Sequence, residues 1–403
     1  MRLSQDYPFR GALALLAVAV PGAAHGASAQ SSPPLLTISP SISFRYDSNV
    51  ARASDEIADL RGIKPHDWRV TPNLNVELEK PLGRQVLYLI GDVGYDFYAR
   101  NHQLNRGRIL LNGGARLKFS RCTGTVYGSF AIRQTDIAEL IDAERAGNTE
   151  HVTTVGADAR CGLASGLSPF VGASRTWVTN SSDVRRFADY TMDQAHGGIA
   201  YSRPVLGELA IVATVKDAHY PHREGALLTD HFHVFSIGGR YTREIGSRLQ
   251  GSVGLNRTTV DSGAGFPKFT GLTSDVSLTA KASDNIQAHV QWVRDVQPVN
   301  VGFGAFNIDS RLSGDVDYGF SPRLTLSAGA GLIHRHIEGE LLIVGPEQQL
   351  QRDRRVFEYV RLTYTRSART SLALDVRHEQ RTADPSAYDY RSTSVGLTLR
   401  TRF

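Results

Sequence analysis

Hydrophobic and polar residues alternate one by one along most of the chain after Leu35. The alternating stretches run for about 10–16 residues, roughly twice the usual strand length in soluble sandwiches and typical of strands that cross a membrane. Residues 87–97, for example, place Leu, Gly, Val, Tyr and Phe on one face. Residues 109–119, 372–379 and 395–403 repeat the pattern. The alternation predicts transmembrane β-strands.

The connectors between these stretches alternate between short and long. Eight short connectors lie near residues 81–83, 120–121, 164–166, 204–207, 245–247, 283–284, 321–322 and 367–368. Nine longer, polar connectors lie near residues 47–65, 99–105, 136–147, 180–188, 221–228, 261–268, 296–306, 338–352 and 383–387.

Seventeen connectors predict an all-β fold, a single transmembrane antiparallel β-barrel of 18 strands. Short turns face the periplasm in such barrels, so an even number of strands places both termini there. Strand 14 is the least regular stretch, and 16 strands remain the alternative.

The first residues have the layout of an export signal. Arg2 and Arg10 precede and flank a short apolar segment, residues 11–24, and Ala27-Ser28-Ala29 resembles a cleavage site. We therefore expect a signal peptide at residues 1–29 and an outer-membrane barrel over residues 30–403, with a buried N-terminal helix as the alternative. The 45 basic residues are nearly balanced by 40 acidic ones, which argues against a nucleic-acid partner.

The last strand supplies independent evidence for the membrane. Leu397, Leu399, Thr401 and Phe403 share one face, and the chain ends on an aromatic residue. This ending resembles the C-terminal signature of bacterial outer-membrane barrels, which their assembly machinery reads. It implies Phe403 as the assembly signal and the outer membrane of a Gram-negative bacterium as the location. The expected partners are the assembly machinery, outer-membrane lipid and lipopolysaccharide.

Charged residues occupy the phase opposite to the aliphatic positions. An Arg or Lys facing mid-bilayer costs about 2–4 kcal/mol, so these side chains are expected to line the interior, which is wide enough for an aqueous channel at about 16–18 strands. The candidates for lining this lumen are Arg116, Lys118, Arg133, Asp158, Arg160, Arg361, Asp375, Arg377, Glu379, Arg400 and Arg402. Only six of the 45 basic residues are Lys. An arginine-rich wall favours anionic solutes, because guanidinium groups bind carboxylates. The alternative is that Arg and Asp pair across neighbouring strands and stiffen the wall.

The cysteines and a group of histidines are the two further candidates for chemistry. Cys122 and Cys161 lie symmetrically about the connector 136–147, which predicts a disulfide near the periplasmic turns rather than a redox-active pair. Four histidines, His219, His222, His231 and His233, suggest a metal site, but a solvated loop edge explains them better. We therefore expect no metal, no cofactor and no catalytic residues.

The first strand carries a family resemblance. It ends in Tyr46-Asp47-Ser48-Asn49-Val50, which resembles the opening of outer-membrane β-barrel porins associated with exopolysaccharide gene clusters, the putative beta-barrel porin 2 type. The resemblance implies a conduit for exopolysaccharide or capsule export that works with a periplasmic polysaccharide export protein and an inner-membrane co-polymerase. A general or substrate-selective uptake porin for small hydrophilic solutes is the alternative, and a barrel enzyme is the less favoured one.

Overall fold

A computed structural model of the chain describes residues 35–135, 148–162, 165–223, 229–263, 265–299, 304–339 and 350–403. The predicted signal peptide and the connector 136–147 lie outside these residues, so the expected cleavage at residue 29 stays a prediction. The described residues form a single 18-stranded antiparallel sheet.

The first nine strands are β1 (Leu35–Asp47), β2 (Asp67–Leu82), β3 (Gln85–Tyr98), β4 (Arg106–Phe119), β5 (Cys122–Gln134), β6 (Thr149–Cys161), β7 (Gly166–Asn180), β8 (Tyr190–Arg203) and β9 (Gly207–His219). The remaining nine are β10 (His231–Ile245), β11 (Leu249–Asp261), β12 (Phe269–Ser283), β13 (Ile286–Pro298), β14 (Phe306–Ser321), β15 (Leu324–Glu338), β16 (Arg352–Ser367), β17 (Thr370–Asp384) and β18 (Tyr390–Thr401).

The sheet closes on itself. Each strand pairs with the next, and β1 pairs with β18 in register from Ser41 opposite Arg400 to Asp47 opposite Ser394. The backbone N–H of Phe403 donates to the carbonyl of Ile38 at 2.9 Å and extends this seam. Strand 14 is present, so the prediction of 18 strands is confirmed and the alternative of 16 is wrong.

The strand ends that border the eight short turns, and both ends of the described chain, lie at one end of the barrel, which we call the short-turn rim. The strand ends that border the longer connectors form the opposite end, the long-loop rim. The assignment of the short-turn rim to the periplasm remains a prediction.

One connector contains a helix that the alternation pattern does not indicate. Residues Asp55–Leu60 form α1, because the Ser54 side chain accepts a hydrogen bond from the Ile57 N–H and two acidic residues occupy the first turn. Three short 3₁₀ helices, His102–Leu104, Asp183–Ala188 and Ser386–Tyr388, occupy other connectors. No helix within the described ranges is long and apolar enough to cross a membrane.

The outward face of the barrel is apolar, as the alternation predicts. Exposed aliphatic side chains form a belt around it, among them Leu87, Val126, Leu255, Leu312, Val360, Leu374 and Leu397. Large exposed aromatic residues lie among them, including Phe44, Trp68, Phe97, Trp292 and Tyr364. An apolar belt of this extent is stable only against lipid, because in water each aliphatic side chain would remain hydrated.

Candidate functional site: the barrel lumen and its mouth

The predicted lumen residues occupy inward-facing strand positions, and most of them contact an opposite charge. Arg116 lies 2.6 Å from Glu79, Arg160 lies 2.6 Å from Glu208, and Arg133 contacts Glu150 through two of its nitrogens. Asp158 contacts His196 at 3.2 Å.

A second group of inward pairs lies on the strands near the closing seam. Arg377 contacts Glu379 at 3.0 Å, and Arg361 lies 3.9 Å from Asp375. Arg402 donates to the hydroxyl of Thr37 at 3.4 Å. This pattern is the pairing of opposite charges that is the alternative to an anion-selective wall. The role of these residues in conduction stays a prediction.

Several of these pairs span an intervening strand rather than joining neighbours. Arg45 on β1 reaches Asp375 on β17 at 2.7 Å by crossing Gly396 of β18. A Cβ atom at Gly396 would lie 2.8 Å from the Arg45 guanidinium and 3.0 Å from the Asp375 carboxylate. Glycine at this inward position therefore leaves the space in which the ion pair forms.

The most buried charges of the wall form a cluster that sequence reasoning did not single out. Asp353 contacts Arg335 at 2.9 Å and Arg381 at 2.7 Å, with Arg355 at 3.7 Å. The Arg381 side chain is fully buried and lies beside the ring of Tyr388. The alternation indicated that these residues face inward. Their partners depend on the stagger between strands, which the alternation does not contain.

The β13–β14 hairpin leans into the lumen near the long-loop rim. Lys216 of β9 places its Nζ 2.8 Å from Oδ2 of Asp295 on β13. Four strand spacings separate β9 from β13, which is about 19 Å along the wall at about 4.8 Å per strand. A lysine side chain alone is too short for that distance, so the rim-side end of β13 lies well inside the barrel outline.

A buried apolar cluster also joins the β13–β14 hairpin to the inner face of the wall. The inward-facing side chains Phe232, Val234 and Val260 pack with Val296 and Phe306 from the hairpin. The rings of Phe232 and Phe306 lie 6.0 Å apart. Burial of these side chains against each other stabilises the inward position of the hairpin, at about 1.5–3 kcal/mol for each large apolar side chain.

Polar contacts join three connectors across the mouth. The Tyr220 hydroxyl accepts a hydrogen bond from the Val299 N–H at 2.8 Å, and burial raises the pKa of Tyr220 above its ordinary value. The Arg223 guanidinium lies 3.5 Å from the centre of the Tyr220 ring and donates to the carbonyls of Gly304 and Phe187. The connectors after β7, β9 and β13 are therefore held together over part of the lumen.

The motif that carries the family resemblance organises another connector. Asp47 accepts hydrogen bonds from the Ser392 hydroxyl and the Asn49 N–H, and it pairs with Arg52 at 2.9 Å. Val50 packs in a buried cluster with α1 residue Ala58. The motif therefore anchors the β1–β2 connector, which is a structural role.

Three of the four histidines near the β9–β10 connector are neighbours on the β9–β10 strands, with the rings of His231 and His233 5.5 Å apart. His231 contacts Asp230 at 2.6 Å, His233 contacts Asp217 at 3.2 Å and His222 contacts Asp189 at 3.6 Å. These three histidines each contact a different carboxylate, and the fourth, His219, lies directly opposite His231 in the sheet register. Within the part of the chain that the structure describes, no three His, Cys, Asp or Glu residues are grouped as metal ligands.

The two cysteines are the first residue of β5 and the last residue of β6, directly opposite each other at the short-turn rim. They form a disulfide, and their Cα atoms lie 4.0 Å apart. The disulfide ties two neighbouring strands on the outward face, away from the lumen.

Comparison with solved structures finds other barrels of low sequence identity. Pseudomonas aeruginosa OccK2 (OpdF), in complex with glucuronate, is 12% identical and covers 93% of this chain and 99% of its own, with a TM-score of 0.46. A BenF-like porin from Pseudomonas fluorescens Pf-5 is 13% identical over 92% of this chain and 99% of its own, with a TM-score of 0.48. No functional statement rests on these similarities.

Sequence comparison gives a more specific result. No curated protein matches the chain. Residues 238–403 match the model of the family described as putative beta-barrel porin 2. The matched part begins in β10 and excludes the Tyr46–Val50 motif, so it is independent of the residues that first carried the resemblance. The match confirms that resemblance over residues 238–403, and this β-barrel chain lies in the outer membrane of a Gram-negative bacterium.

Proposed function

We propose that this barrel is a channel through which small hydrophilic solutes cross the outer membrane. The observation that carries the proposal is the inward position of the β13–β14 hairpin, anchored by the contact between Lys216 and Asp295. A hairpin held inside the barrel narrows the path that a solute would take. Beneath it the wall is lined with paired charges, which favour water and polar solutes over apolar ones.

Polysaccharide export, the function that the resemblance first suggested, gains no support from this mouth. A polymer chain leaving the lumen would pass the contacts that join Tyr220, Val299 and Arg223. Those contacts narrow the mouth that such a chain would have to cross. The periplasmic export protein and the inner-membrane co-polymerase expected with that function remain predictions. The family match to a porin supports a channel rather than a barrel enzyme.

Liposome swelling tests the proposal directly. The purified barrel is reconstituted into liposomes, which are then diluted into isotonic solutions of a monosaccharide, a disaccharide and longer oligosaccharides. We expect rapid swelling in the monosaccharide and a steep decline with solute size, because the hairpin limits the width of the mouth. Liposomes that contain heat-denatured protein are the control.

Deletion of the gene separates the two functions in cells. The small-solute proposal predicts unchanged secreted polysaccharide, by weight, and slower growth on limiting small nutrients. Loss of secreted polysaccharide, together with no swelling in the monosaccharide, would contradict the proposal and restore the export function.

A further inference from the structure

The pairing between β12 and β13 stops partway up the barrel wall. From the short-turn rim it continues only to Ser274 opposite Arg294. Beyond this point β12 continues to Phe269, which pairs with β11, and β13 continues to Pro298, which pairs with β14. The facing edges of these two segments have no ladder between them, over about 13 Å at about 3.3 Å per residue. The wall is therefore split on the side of the long-loop rim.

The edge of β13 passes inside the edge of β12. Val296 lies on the same strand face as Trp292, four residues earlier, and Trp292 is exposed on the outside of the barrel. Val296 is nevertheless fully buried, in one cluster with Phe232 and Val260 from the inward faces of β10 and β11. Val296 can reach that cluster only if the upper part of β13 lies behind β12 and β11. The two strand edges thus overlap at the split.

The register of the paired part defines how a longer ladder would continue. Two residues beyond the last pair between β12 and β13, Leu272 would lie opposite Val296. The Gly319 N–H donates to the Asn285 carbonyl at 2.8 Å, so odd-numbered positions in this register bond to β14 and even-numbered positions of β13 face β12. Val296 would therefore exchange both of its backbone hydrogen bonds with Leu272.

Side chains take the place of β12 at this edge. The Val296 N–H donates to Oδ1 of Asp295 at 2.8 Å, and the Val296 carbonyl accepts from Nζ of Lys216 at 3.4 Å. The same Nζ lies 2.8 Å from Oδ2 of Asp295. The ion pair thus satisfies the two backbone groups that a longer ladder would use. Leu272, 65% exposed on the outer surface, has no ladder partner on β13 among the described residues.

A cavity of about 420 Å³ lies at the split. Phe269 of β12 lines one side of it, and residues of β13, β14 and β15 line the other, among them Arg294 and Ile308. Adjacent strands of a complete ladder lie only about 4.8 Å apart and leave no such space between them. Movement of the upper hairpin toward β12 would fill this cavity.

We propose that the upper part of the β13–β14 hairpin is a gate whose open position completes the β12–β13 ladder, with Val296 opposite Leu272. Opening moves the hairpin from the lumen into the wall, so the mouth widens. It breaks the Lys216–Asp295 contact and exposes Val296, and it gains the ladder hydrogen bonds. The next position that faces β12 is Pro298, which has no N–H and limits that gain. The inward position is therefore the resting one. The inference rests on the proposed channel function and adds its regulation.

A disulfide between positions 272 and 296 tests the gate. Leu272→Cys/Val296→Cys is oxidised in the reconstituted barrel, and the bond is identified by mass spectrometry. Opposite residues in a ladder have Cα atoms about 5.5 Å apart, which suits a disulfide. We expect the bond to form and to raise the single-channel conductance severalfold, and reductant to restore the wild-type value. The matched control, Val276→Cys/Trp292→Cys, joins a pair of the existing ladder and should cross-link without changing the conductance.

A proline variant tests the same position without a cross-link. Leu272→Pro removes the N–H that would pair with Val296 in the open position and that has no ladder partner in the inward one. Added to Lys216→Ala, it should return the conductance toward the wild-type value. Leu272→Ala keeps the N–H and should not. Heat-dependent mobility on gels verifies that each barrel is folded.

Three outcomes would overturn the gate: no bond between positions 272 and 296 in folded protein, an unchanged conductance after the bond forms, or equal effects of Leu272→Pro and Leu272→Ala. Formation of the bond is measured without ion flow. A bond that forms in a barrel that conducts in no variant would therefore contradict the proposed channel function, while the movement of the hairpin would be supported.

Discussion

Lys216 Nζ lies 2.8 Å from Asp295 Oδ2, although three strands separate β9 from β13 along the wall. Both side chains are largely buried, at 10% and 18% exposure. Breaking a buried ion pair by removing one partner is strongly destabilising, because the remaining charge is left without compensation. This contact is therefore a restraint on how far the β13–β14 hairpin can move outward.

Replacement of Lys216 should widen the mouth. In Lys216→Ala the Asp295 carboxylate loses its cationic partner and keeps the hydrogen bond from Gln297, which disfavours the inward position of the hairpin by up to about 3–5 kcal/mol. We expect a larger single-channel conductance in planar bilayers and faster swelling in oligosaccharides. Lys268→Ala, which breaks the exposed pair with Asp261, is the control and should conduct like wild type. An unchanged Lys216→Ala conductance would show that the restraint lies elsewhere.

The ion selectivity of the channel should change when an inward-facing arginine is replaced and should not change when an outward-facing one is replaced. Arg160 and Arg175 lie on neighbouring strands, and each pairs with a carboxylate, Glu208 and Asp193 respectively. Because Arg160 faces the lumen, Arg160→Gln leaves Glu208 uncompensated there. The reversal potential under a salt gradient should then shift toward cations. Arg175→Gln changes the charge of the outer surface and should leave the potential unchanged.

Wild-type protein should show a modest anion preference in the same experiment. The motivation is the arginine content of the inward face, and the pairs described above cancel most of it. Ion pairing explains why only a weak preference is expected, and salt screens it further, with a Debye length of about 8 Å at physiological ionic strength. A wild-type barrel that prefers cations would contradict this prediction.

The disulfide should stabilise the barrel without being required for its fold. The bond between Cys122 and Cys161 closes a separation of 39 residues, for which the chain-entropy model gives about 4 kcal/mol. We expect Cys122→Ala/Cys161→Ala to lower the free energy of unfolding by up to that amount, measured by urea unfolding in liposomes. Reductant should leave the free energy of unfolding of the double variant unchanged. Identical unfolding of wild type with and without reductant would contradict a stabilising bond.

Local regularities explain which parts of this structure could be predicted. The number of strands could be predicted from the two-residue period and from the spacing of the turns. Both are local features that a few neighbouring residues determine. The same local pattern placed Cys122 opposite Cys161. By contrast, the contact of Lys216 with Asp295 depends on the path of a hairpin outside the sheet. The partners of Asp353 depend on strand stagger, and neither quantity is encoded in the alternation.

Variants of Phe403 can distinguish the role of its side chain from the role of its backbone hydrogen bonds. The Phe403 side chain is 73% exposed, while its N–H and carbonyl exchange hydrogen bonds with Ile38. Phe403→Ala keeps both hydrogen bonds, so we expect refolding of the purified chain into detergent at the wild-type rate. Assembly in cells should fall severalfold if the machinery reads the ring. Deletion of Phe403 should impair both, and normal assembly of Phe403→Ala would contradict the role as a signal.

The seam between β1 and β18 has a consequence for the order of folding. It joins residues about 350 positions apart, as in the hydrogen bond from Arg45 to Ser394 at a separation of 349, whereas every other strand pairs with a neighbour in sequence. Contacts of such separation form late, because the intervening chain must first be ordered. Until then the growing sheet has two open edges, each with unpaired N–H and carbonyl groups that can recruit a foreign strand. The last step of biogenesis is therefore the one at which this chain is most prone to mispairing.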